Sequence, residues 1–153
     1  MTTHPWVTPK RIAALLLAAL VIVGVWYLAS PLFITTHASV EPPAGFTQVV
    51  KQGMWQGPDG VHRASGVAKI LTDGQGSYVL RLEDFSVTNG PDIEFFLSSD
   101  AAYDGGDVPL GDVGATTGNY NVAIPPGADI GSLNYAIVWC VPFGVLFGTA
   151  QLA

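Results

Sequence analysis

The stretch YAIVWCVPFGVLFGTAQL, residues Tyr135–Leu152, decides the fold. Two short runs rich in β-branched and aromatic residues flank Val141-Pro142-Phe143-Gly144, whose proline and glycine suit a tight turn, so the stretch reads as an antiparallel hairpin. Side chains alternate along a strand, which puts Tyr135, Ile137 and Trp139 on one face and Ala136, Val138 and Cys140 on the other. Both faces are apolar, so this strand is central and covered on both sides. The small-residue face carrying Cys140 packs closely on a neighbouring layer or leaves room for a flat ligand.

Working outward, the same pattern repeats. Short β-prone runs at Phe46–Gln52, His62–Leu71, Ser77–Leu82, Phe85–Thr88, Ile93–Ser98 and Asn119–Ile124 are punctuated by Gly, Pro, Asn and Asp. No helical periodicity of useful length interrupts them. About eight closely spaced strands without crossover helices predict an all-β domain over residues 46–153, an antiparallel β-sandwich or a flattened barrel. Gly-Pro-Asp occurs at Gly57–Asp59 and again at Gly90–Asp92, but the flanks do not match, so both copies read as turns.

The N-terminal third reads differently. Residues Ile12–Ile34 carry no charge and, as a helix, cover ~34 Å, enough to cross a bilayer. Lys10 and Arg11 precede the run and Trp26 and Tyr27 approach its far end, which orients the chain with residues 1–11 cytoplasmic and the β domain outside. The expectation is a retained signal-anchor, and the alternative is a cleaved signal peptide ending near Thr36-His37-Ala38. Residues 35–45, with Pro42, Pro43 and Gly45, read as a spacer that keeps the domain within ~35–40 Å of the membrane. Partners are therefore expected to be membrane-associated or at the surface.

Charge excludes a class of function. Beyond the apolar run there are twelve acidic residues against Lys51, Arg63, Lys69 and Arg81, too few cations to neutralise a nucleic-acid backbone. Zinc, hydrolase and nucleotide motifs are absent by spacing. Of the three histidines only His62 lies in the domain, and one histidine makes no metal site by itself. Asp100, Asp104, Asp107 and Asp112 sit in a Gly-rich stretch that lacks the ligand spacing of a calcium loop, so solvated acids are the expectation. No metal is expected.

Several pieces taken in order carry a resemblance. They are His62-Arg63-Ala64-Ser65-Gly66, Leu80–Phe85 leading to Gly90-Pro91-Asp92, Phe96-Leu97-Ser98, Leu110-Gly111, Gly118-Asn119-Tyr120 with Ile124-Pro125, Trp139-Cys140, and Phe143–Leu152. From about Met54 onward the chain resembles the DM-thirteen domain, the electron-transfer domain of Skeletor-type proteins. That resemblance implies a displayed β-sandwich in which the cysteine of Trp-Cys, here Cys140, acts in redox as a bare thiol or by holding a cofactor such as haem. It implies a surface redox partner protein.

The residues themselves leave two readings open. Nothing beside Cys140 stabilises a thiolate, which disfavours a freely reactive thiol, whereas an apolar pocket suits a porphyrin. Trp139 would then flank the cofactor, and His62 or Met54 is the candidate second ligand. Otherwise Cys140 is a small buried core residue and the domain is a non-enzymatic binding or adhesion module. No nucleophile–base pair points to a hydrolase or transferase.

Overall fold

The computed structural model describes residues 8–30 and 35–153, and the chain divides into two units, Met1–Ile34 and Thr35–Ala153. In the first unit α1 runs Pro9–Ala29. Thr8 holds the extended cap conformation and Pro9 takes the first turn, where its missing N–H costs nothing. The helix therefore begins before the apolar run and carries Lys10 and Arg11 on its first turn. Over Pro9–Tyr27 it is long and apolar enough to span a bilayer or serve as a signal anchor. Residues 31–34 of the expected apolar segment and residues 1–7 of the expected cytoplasmic stretch lie outside the described residues.

The second unit is one sheet of nine strands. These are β1 (His37–Ser39), β2 (Gln48–Gln56), β3 (Ala64–Thr72), β4 (Tyr78–Val87), β5 (Ile93–Ser98), β6 (Val108–Asp112), β7 (Thr117–Ala123), β8 (Tyr135–Cys140) and β9 (Val145–Gln151). Their spatial order is β1-β7-β4-β3-β2-β9-β8-β5-β6. β1 pairs with β7 in parallel and the other neighbours are antiparallel. β6 forms one edge and β7 lies beside the other, yet only residues 113–116 join them. Such a link reaches about 17 Å, so the sheet must curl until its edges approach. The result is a half-barrel, nearer to the flattened barrel than to the sandwich of the two expected all-β forms.

The strand count changes for definite reasons. Ser77–Leu82 and Phe85–Thr88 are one strand, β4, because Glu83-Asp84 is absorbed as a bulge with Asp84 at φ 47°. Gly66 faces that bulge at φ 103°, where a Cβ would meet the Asp84 carbonyl. β1 and β6 are additional. β1 lies inside the expected spacer, and Thr36 ties it down through hydrogen bonds with the backbone and side chains of Thr116 and Thr117. Arg81 and Asn121 then hold the carbonyls of Val40 and Glu41.

Inward-facing side chains fill the curl. Trp55, Phe85, Phe95 and Tyr120 form an aromatic group whose neighbouring centroids lie between 5.4 and 6.4 Å apart. The Tyr120 hydroxyl donates to the Ala115 carbonyl at 2.5 Å, which satisfies the one polar atom of that ring.

Candidate functional site

Strand direction gathers the chemistry at one end of the half-barrel. The pairings Ala64↔Val87, Ser86↔Thr117, Ile93↔Cys140 and Cys140↔Val145 put the loops 57–63, 88–92 and 113–116 and the hairpin turn 141–144 at that end. His37↔Thr117 places the entry of the chain there too.

Cys140 closes β8 at this end, on the core face with Ala136 and Val138. It is a free cysteine, 1% exposed. Its Sγ donates to the Pro91 carbonyl at 3.0 Å. The turn that supplies this carbonyl is shaped by its neighbours. Asp92 takes φ 52°, its carbonyl accepts from Val141 N at 3.1 Å, and a Cβ on Gly90 would stand 2.6 Å from the Phe147 ring. Gly-Pro-Asp, Trp-Cys and the Phe-Gly of β9 are thus one structural unit assembled around the thiol.

The other predicted site residues do not join Cys140 in one pocket. Trp139 points to the outer face, where it stacks on Tyr103 with centroids 4.6 Å apart and planes 20° apart. His62 Nδ1 lies 2.8 Å from Asp59 Oδ2 and its ring meets Phe147 edge-on at 4.7 Å, so Phe147 and the Gly90 turn intervene between it and the thiol. The bond to His62, with the backbone N–H groups of His62 and Val61, holds Asp59 down at about 2. Met54 is 67% exposed on the face opposite Trp55 and so opposite Cys140. The sulfur is held against the Pro91 carbonyl and its strand neighbours Ala136 and Val138 are 0% exposed, a packed setting that does not suit a planar macrocycle such as haem.

Family comparison decides what this unit is. A family model described as electron transfer DM13 matches residues 58–152, well over half of the 153-residue chain. The chain belongs to the DM13 family. No curated protein and no solved structure matches it. The DM13 match takes in the Asp59–His62 turn, β3 to β9 and the Pro91 and Phe147 neighbourhood of Cys140, and it leaves out α1, β1 and β2.

Within the DM13 domain the acids divide into two kinds. Asp100 and Asp104 turn back to accept from the N–H groups of Ala102 and Gly106, and Asp107 accepts from Asp104 N. They fold the β5–β6 loop and do not converge on a cation. Asp92, Glu94 and Asp112 do converge, with carboxylate oxygens within 4.8 Å of one another. Partial burial and then the charges of Asp92 and Asp112 raise the Glu94 pKa. Two of this trio carry a local signal, since Asp92 and Glu94 lie two apart at the start of β5 and such spacing puts side chains on one face. Asp112 and Tyr103 arrive from elsewhere in the chain with no local signal, and so does the Pro91 carbonyl.

Proposed function

We propose that this DM13 protein is an electron-transfer module held at a membrane by α1, with its β domain on the extracytoplasmic side and Cys140 as the redox group. The observation that carries the reading is the domain's lone thiol, hydrogen-bonded to the Pro91 carbonyl at the centre of the matched family region. The packed setting of the thiol supports chemistry at the sulfur itself over ligation of a macrocycle. The Cys140 S–H bond breaks as one electron passes to a one-electron acceptor protein and the proton leaves past Pro91 to water. The resulting thiyl sulfur returns to the thiol on taking back an electron and a proton. Lys10 and Arg11 at the start of α1 support an orientation with the N-terminus inside.

The test is a redox titration of the full chain, expressed with haem available and purified in detergent. Wild type is expected to lack a haem band and to reduce ferricyanide, while Cys140→Ser does not. Equal reduction by both proteins refutes the thiol role, and a haem band lost in Cys140→Ser would install the cofactor reading instead. The 1% exposure of Cys140 favours a second reading, a binding module in which the thiol only fills the core. A wild-type thiol that reacts only after unfolding, in a chain that reduces no ferricyanide, selects that reading.

A further inference from the structure

We infer that the outer face beside Cys140 is the docking surface for a basic partner protein. This rests on the electron-transfer reading for its purpose, but on different residues for its evidence. Cys140 and Trp139 are consecutive in β8, so the thiol faces the core while the indole faces out. Trp139 and Tyr103 form a stacked pair, each half-buried. The hairpin turn passes beside this pair, with Gly144 next to the Trp139 ring, and presents Phe143 at 70% exposure. Large aromatic side chains held rigid at a surface are what the centres of protein interfaces are made of.

The rim says what covers them. Glu94 pairs with Trp139 across β5 and β8, and with Asp112 across β5 and β6. With Asp92 these form the converging carboxylate trio beside the aromatic pair. A cluster of negative charge beside an apolar centre is complementary to a surface that sets Lys or Arg next to an apolar patch, and steers such a partner in at a rate that salt suppresses. The same charges disfavour an anionic lipid surface and a second copy of this acidic chain. A docked basic partner would stand one strand's thickness from the thiol, with Trp139 between.

The probe is cytochrome c, a lysine-rimmed carrier protein, with its succinylated, charge-reversed form as control. Binding to the full chain in detergent is measured by titration calorimetry at low and physiological salt. Native cytochrome c is expected to bind, to weaken at least tenfold with added salt, and to lose about tenfold in Asp92→Asn/Glu94→Gln/Asp112→Asn. Phe143→Ala, which keeps every charge, is expected to lose severalfold. Asp73→Asn/Asp129→Asn, at acids outside the rim, is the control for general charge and should bind as wild type. Near-ultraviolet circular dichroism, which reports the packed Trp55, verifies that each variant is folded. Equal loss in the control variant, binding of the succinylated form, self-association, or preference for phosphatidylserine vesicles over cytochrome c would each overturn the assignment. Binding needs no electron to move. Docking without ferricyanide reduction therefore sinks the redox reading and leaves the surface standing, while ferricyanide reduction without docking does the reverse.

Discussion

Gly118→Ala tests whether the segment before β2 belongs to the folded domain. Gly118 sits in β7 at φ 113°, where an L side chain is strained. A Cβ there would stand 3.0 Å from the Ala38 carbonyl carbon and from His37 Cε1, and closer still to the Ala38 oxygen. β1 and β7 must then part by on the order of 1 Å, which takes their hydrogen bonds out of range. β7 is clamped by β4 on its other side, so the three-residue β1 is the element that yields. Its release breaks Val40 N to Asn119 O at 2.7 Å and Thr117 N to Thr36 O at 3.0 Å, and uncovers Arg81, 5% exposed in the native fold. Strain of this kind costs on the order of 1–3 kcal/mol. We expect limited proteolysis to cut residues 36–41 at least tenfold faster in the variant, while the urea midpoint of the rest of the sheet falls only modestly. Unchanged proteolysis together with unchanged hydrogen exchange at Val40 and Thr117 would refute the reasoning.

Three further outcomes follow from the core and the acids. Cys140→Ala removes one buried sulfur and its weak bond to Pro91 and should cost about 1–2 kcal/mol by urea denaturation; no measurable loss would contradict the packed environment described. Glu94 has a raised pKa, so ionising it costs stability as pH rises through its folded value. Glu94→Gln should therefore stabilise at pH 7 and do nothing at pH 3, and a stabilisation that persists at pH 3 would have another cause. Tyr120→Phe orphans the buried Ala115 carbonyl and should cost about 1–3 kcal/mol in the same assay, whereas an equal-stability variant would mean that water replaces the hydroxyl.

The hairpin of β8 and β9 and the whole of β5 were legible because their residues carry the β pattern alone. β1 was not. His37-Ala38-Ser39 has no alternation, and it becomes a strand only because Thr36 finds Thr116 and Thr117, 80 residues on. β6 contains Pro109, which reads as loop and is tolerated because the strand is an edge. Residue types cannot say whether a sheet splits or curls, since both bury the same alternate side chains; here the four residues linking β6 to β7 decide. Of the site, the position of Cys140 on one face with Ala136 and Val138 was legible from strand alternation. Its separation from His62 and Met54 was not, because strand order across the sheet sets it.

The clasp formed by β1 has a mechanical consequence. A pull on Thr36 along the axis of β1 is borne by the pairing of β1 with β7, to which it lies parallel. A pull in that direction shears the rungs between the two strands instead of unzipping them one at a time, so they share the load. Flow, or a neighbour tugging on a docked domain, would meet a seam built to resist force along its length, formed by two strands that do not pair with the thiol's own strand β8.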